Sequence, residues 1–212
     1  MSDNPQLPAM YQPQGADLGH PLFDPSMYQH LWMVAKTFAG SRLVPESLRG
    51  KPEDCLLALA LAKRSGQDPL SVMQSIHFVK GKAGWAATYL IARAKVAGMP
   101  IRWDVENVGA DLTADFYPDG RTKKGTRPIR NLSITGWAMV DDVRAQTTIT
   151  TADAIAEGWT RNPKYFTMLD QMLRYRTATR LVRLYMPEVM LGLPPVEELH
   201  STPDPEPVVA VV

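Results

Sequence analysis

A chain of 212 residues, 45% apolar and 21% charged, is long enough for one domain with a sizeable core and has the composition of a soluble globular protein. It holds no run of the ~18 apolar residues that a membrane span needs, and its N-terminus MSDNPQLPAM lacks the basic and apolar regions of a signal peptide. A single cysteine, Cys55 in CLLALALA, excludes an internal disulfide and reads as a small core residue, so a cytoplasmic protein is expected.

Residues 1–25 carry Pro5, Pro8, Pro13, Pro21 and Pro25 among Gln, Asn and Gly, a composition that predicts a flexible arm. From Ser26 the spacing of Met27, Leu31, Val34 and Phe38 is helical and stops near Gly40. A second helix is predicted from Pro52, with Glu53 and Asp54 suited to its positive end and Gly66 just beyond its last turn. A shorter helix starts around Asp68 and Pro69. IHFVKGKAGW then alternates around Lys80, Gly81 and Lys82 as a small hairpin, and ATYLIARAKVAG reads as a helix ending at Gly98.

Strands follow. Ile101, Trp103 and Val105 alternate with polar neighbours, as do Leu112, Ala114 and Phe116, and Leu132, Ile134, Ala138 and Val140 share one face of a longer run. A turn at Asp141 and Asp142 leads into a fourth strand ending near Thr150. Thr150 and Asp153 are spaced as a capping box for a short helix that stops at Gly158. One helix of about 20 residues is expected from Pro163 to the residue before Pro187. The predicted fold is α+β: an antiparallel sheet of three to four strands with a long basic hairpin, packed against several helices including a long C-terminal one. One domain over 26–193 is expected between the arm and a disordered acidic Pro-rich tail over 194–212.

The formal net charge of +1 conceals a segregation. Residues 61–192 carry 19 Lys and Arg against 12 Asp and Glu, whereas residues 193–212 carry Glu197, Glu198, Asp204 and Glu206 without a cation. A basic folded region is the electrostatic footprint of a polyanion partner. RTKKGTRPIR concentrates it: Arg121, Lys123, Lys124, Arg127 and Arg130 lie on the connection between two strands, where long cationic side chains can follow the phosphates of a backbone. Arg176, Arg180 and Arg183 fall at i, i+4 and i+7 on the last helix and form one stripe facing a groove. Lys80 and Lys82 sit beside Phe78 and Trp85, and rings next to cations suit single-stranded nucleic acid, with stacking on a base contributing roughly 1 to 3 kcal/mol.

No catalytic constellation accompanies these features. His20, His30, His77 and His200 are scattered, and no Walker-type or dinucleotide loop is present. Strand carboxylates Asp104, Glu106 and Asp115 could in principle serve a metal-dependent nuclease, but they read more simply as the solvent side of amphipathic strands. No catalytic residue, metal ligand or cofactor is assigned, and Mg²⁺ is expected to assist, if at all, without a dedicated site.

The order of four short motifs resembles the RecT/Redβ family of phage recombinases. They are VP-x-x-x-RGKP at Val44 to Pro52, DP-x-x-x-x-x-SI at Asp68 to Ile76, V-x-GK at Val79 to Lys82, and W-x-x-x-P-x-x-x-x-M at Trp159 to Met168. The resemblance spans about Ser26 to Leu193. It implies an ATP-independent single-strand annealing protein, not an enzyme, encoded by a phage or prophage and working in a bacterial cytoplasm. Such proteins form rings or helical filaments on single-stranded DNA, hold the annealed duplex, and act with a 5′ to 3′ exonuclease and the host single-strand binding protein. Tyr28, Leu31 and Trp32 on the first helix are then candidates for a contact with a second copy, against simple packing on their own core. A self-assembling phage structural protein that neutralises DNA nonspecifically is the alternative.

Overall fold

The computed structural model of the chain describes residues 24–201. Most of the Pro-rich arm (1–23) and most of the acidic tail (202–212) lie outside the described residues. The chain divides into two compact units between Gln74 and Ser75, within the span for which the sequence predicts one domain.

The first unit is helical. Helix α1 covers Pro25–Ala39, so Pro25 starts the helix and does not close the arm, as suits a residue whose fixed φ fits the first helical position. Helix α2 spans Pro52–Ser65 with Glu53 and Asp54 in its first turn and Lys63 and Arg64 in its last, each sign matching the dipole end it occupies. Its inner face buries Cys55, Leu59 and Ala62. The Cys55 thiol donates to the Leu48 carbonyl at 3.4 Å, and burial, helped by Asp54 and Glu53, raises its pKa; it is an inert core thiol. Helix α3 (Pro69–Ser75) is capped by Asp68, whose carboxylate accepts the Ser71 N–H at 2.7 Å.

The second unit is α+β, and every named strand pairing is antiparallel. Strands β1 (Ile76–Val79) and β2 (Lys82–Trp85) form the expected hairpin around Lys80 and Gly81, and helix α4 (Ala87–Val96) follows. Strands β3 (Arg102–Asn107), β6 (Leu132–Val140) and β7 (Val143–Thr150) make a three-stranded sheet in the order β3-β6-β7. The β6–β7 turn is made by Asp141 and Asp142, both at positive φ, where Asp is among the tolerated residues. The strand predicted around Leu112 does not join this sheet. Strand β4 (Leu112–Asp115) pairs with β5 (Thr126–Ile129) in a separate two-stranded ribbon. Thr126–Ile129 of RTKKGTRPIR is therefore strand, and the connection is shorter and better anchored than a loop running to Arg130.

Along β6, Leu132, Ile134 and Ala138 are buried on one face, and helix α7 (Leu169–Tyr185) crosses that face. The close approach requires Gly136: a Cβ there would stand 3.1 Å from the Thr177 Cβ. Ile134, Ile149, Leu173 and Tyr165 form the core with Ala114 and Ile129 of the ribbon, each fully buried large side chain contributing about 1.5–3 kcal/mol. Helix α5 (Thr151–Ala156) begins with the predicted capping box, in which Thr150 accepts the Asp153 N–H and the Asp153 carboxylate accepts the Thr150 N–H. The single helix predicted from Pro163 is broken: α6 (Lys164–Thr167) is one turn, and Met168 at φ −139°, ψ 40° separates it from α7. Nothing in the residue type at Met168 announces that break.

Past Leu193, where the sequence predicts a disordered tail, the chain stays folded to Ser201. The Trp85 N–H donates to the Pro194 carbonyl at 2.9 Å, helix α8 covers Val196–Ser201, and Leu199 is buried. Gly84 makes this possible, because a Cβ there would lie 2.8 Å from Leu199 Cδ1 and 2.9 Å from the Pro194 oxygen. Among the described residues no helix is long and apolar enough to cross a membrane.

Candidate nucleic-acid interface

The β4–β5 ribbon grips the core at its root and carries charge at its tip. Ala114 and Ile129 are buried in the core cluster, while Arg121, Lys123, Lys124, Arg127 and Arg130 are all exposed. Two further backbone bonds extend the ribbon beyond its strands, from Phe116 N–H to the Gly125 carbonyl and from Lys124 N–H to the Phe116 carbonyl. The tip is then shaped by Asp119, whose Oδ1 accepts the N–H groups of Thr122 at 2.7 Å and Arg121 at 2.8 Å. Those two bonds stabilise the charged carboxylate and bring its pKa down to about 2.

Individual cations on the ribbon are held differently. The Arg127 guanidinium lies 3.7 Å from the centroid of Phe116, and Phe116 packs edge-on against Phe166 at 5.1 Å. A guanidinium laid on a ring keeps its N–H edge for a phosphate. Lys123 reaches Asp115 at 2.8 Å, and that hydrogen bond raises its pKa; both groups are largely exposed, so the pair is easily exchanged for another anion.

The α7 stripe does line a groove, but its three arginines are not equivalent. A cavity of about 690 Å³ is bounded by Arg176, Arg180, Arg183, Trp159, Ile149 and Leu184 together with Asp153, Glu157 and Glu198. Arg176 is only 7% exposed. Its Nε donates to the Tyr165 hydroxyl at 3.2 Å and its guanidinium sits 4.1 Å from the Trp159 ring. The same charge lowers the pKa of half-buried Glu197, although desolvation dominates and the net shift is upward. Arg176 is thus committed to the interior, which corrects its placement on an open groove floor. Arg183 is paired with Glu198. Arg180 is exposed and has no ion pair among the described residues.

At the β1–β2 hairpin, Lys80 and Lys82 are exposed and Phe78 is 38% exposed. Trp85 is fully buried. Its Nε1 donates to the Met190 carbonyl at 2.7 Å and its ring stacks on Tyr89 at 4.4 Å, so it cannot serve as a platform for a base. The alternating pattern around the hairpin could not separate an inward ring from an outward one, because the element that covers Trp85 comes from residues 190–199.

In the first unit Tyr28, 40% exposed, stacks parallel to half-buried Trp32 at 6.4 Å, and Lys36 lies 5.5 Å from the Trp32 centroid; Leu31 is half-buried. Two of the strand carboxylates have cationic partners: Asp104 with Arg144 at 2.7 Å and Asp115 with Lys123. No group of three or more His, Cys, Asp or Glu side chains that could hold a metal occurs among the described residues.

Some participants had no local signal. Arg144 lies 4.4 Å from the Trp137 ring and Arg161 5.7 Å from the Tyr117 ring, contacts that join residues 7 and 44 positions apart. Glu198 was visible only as tail acidity.

The family model of the RecT family matches residues 34–210, which is most of the chain and takes in both units. No match was found among curated proteins or among solved structures. With the motif order, the α+β fold and the match in agreement, the chain belongs to the RecT family, whose members serve phage-type recombination and single-strand annealing.

Proposed function

We propose that the chain binds single-stranded DNA and pairs it with its complement without hydrolysing a nucleotide, assembling as rings or filaments on the DNA. It acts by binding and not by bond cleavage, in the cytoplasm of a bacterial host, on strands exposed by a 5′ to 3′ exonuclease and alongside the host single-strand binding protein. Mg²⁺ assists by screening phosphates and needs no site of its own. The observation that carries the reading is the ribbon: five exposed cations, one of them backed by Phe116, stand on strands rooted in the core. Such an array contributes little to stability and suits a phosphate backbone read without sequence preference. Lys80, Lys82 and Phe78 supply a second contact region, and Arg180 and Arg183 a third.

The test is the pairing rate of two complementary dye-labelled oligonucleotides at moderate salt, with and without the protein and with no nucleotide present. Acceleration supports the reading. Equal affinity for single and double strands with no acceleration would replace it by nonspecific neutralisation of DNA.

A further inference from the structure

The ribbon and the α7 groove look like separate cationic patches in the sequence, and the 3₁₀ turn Trp159–Arg161 lies between them. On one side, the turn faces the ribbon tip. The Arg161 guanidinium is 5.7 Å from the Tyr117 ring, and a Cβ at Gly120 would be 3.6 Å from the Arg161 carbonyl oxygen. On the other side, Trp159 of the same turn lines the groove and carries the Arg176 guanidinium. The next residue to Tyr117, Phe116, carries Arg127. Arg161 is exposed and has no carboxylate partner among the described residues. Nothing in the fold requires a cation there: the turn is closed by backbone bonds, Arg161 N–H to the Gly158 carbonyl and Asn162 N–H to the Trp159 carbonyl.

An arginine resting on an aromatic ring loses little further freedom when it binds, and its N–H edge matches two oxygens of a phosphodiester. We propose that Arg161 is a phosphate-binding residue that joins the two patches, so that one nucleic-acid backbone runs from Arg127 on the ribbon, past Arg161, to Arg180 in the groove. This rests on the single-strand binding proposed above.

The experiment is equilibrium binding of a dye-labelled oligothymidylate over a range of salt, for the full chain and for Arg161→Ala, Arg161→Lys and Arg127→Ala, with thermal melting of each as a check on folding. Arg161→Ala is expected to bind about tenfold more weakly and to lower the slope of log affinity against log salt by about 0.7, the contribution of one single-strand phosphate contact. Arg161→Lys keeps the charge, so it should regain the slope and only part of the affinity. If Arg127→Ala loses affinity and slope while Arg161→Ala keeps both, the track does not pass Arg161 and the proposal is wrong. A loss of affinity with an unchanged slope also overturns it. If the unaltered chain does not bind the oligonucleotide, the proposed function itself fails, a result distinct from either.

Discussion

The Glu198 carboxylate lies 2.5 Å from the Arg183 guanidinium. An acid from beyond the predicted domain boundary therefore neutralises one end of the cationic stripe on α7. The pair is partly solvated, so it adds no more than about 1 kcal/mol to stability. Glu198→Gln should leave the melting temperature nearly unchanged, tighten single-strand binding about two- to fivefold at low salt, and steepen the salt dependence by up to about 0.7. Unchanged affinity and slope would mean that Arg183 does not meet the DNA.

Arg176 and Arg180, one turn apart, should separate cleanly. Arg176→Ala removes a buried guanidinium from the Trp159 ring and the Tyr165 hydroxyl and leaves half-buried Glu197 without its favourable charge, at a cost of about 2–4 kcal/mol. Arg180→Ala should change stability by less than about 0.5 kcal/mol while weakening binding. Urea unfolding and oligonucleotide titration of the two variants check this, and comparable stability losses would contradict it.

Gly84→Ala places a methyl group against Leu199 and the Pro194 carbonyl. Overpacking of this kind costs about 1–3 kcal/mol, which lowers the melting temperature of a chain this size by about 3–10 °C. Faster proteolysis within residues 194–201 should accompany it. An unaltered melting curve would show that the C-terminal segment does not rest on β2.

The Asp119 carboxyl, held near 2 by the Thr122 and Arg121 N–H groups, gives the ribbon tip a defined acid limit. A carboxyl with a lowered folded pKa contributes stability above its unfolded value, about 3.9, and that contribution is lost as pH falls towards 2. Carbon-detected titration of Asp119 should therefore show a midpoint well below the ordinary range, with the Arg121 and Thr122 amide shifts following it. A midpoint near 4 would contradict the turn.

Much of the chain's local structure follows from the sequence alone. Pro52 with its acidic first turn, the Lys80–Gly81 and Asp141–Asp142 turns, and the Thr150–Asp153 capping box are each decided by bonds spanning a few residues, and each stands as the pattern predicts. The α+β class and the motif order that marks the family are legible for the same reason. What only the tertiary structure decided is which partner each of these elements meets. Leu112–Asp115 alternates like a strand of the main sheet, but pairs with Thr126–Ile129, since period two specifies a face and not a neighbour. Trp85 and Phe78 share one hairpin, and residues 190–199 cover the first and not the second. Arg176, Arg180 and Arg183 share a helical face in sequence, yet burial beside Trp159 claims one charge, Glu198 neutralises another, and Arg180 is left exposed with no ion pair among the described residues. Charge and periodicity are local properties of the chain; desolvation and ion pairing depend on segments brought together by folding, and these fix which cations remain available to a ligand.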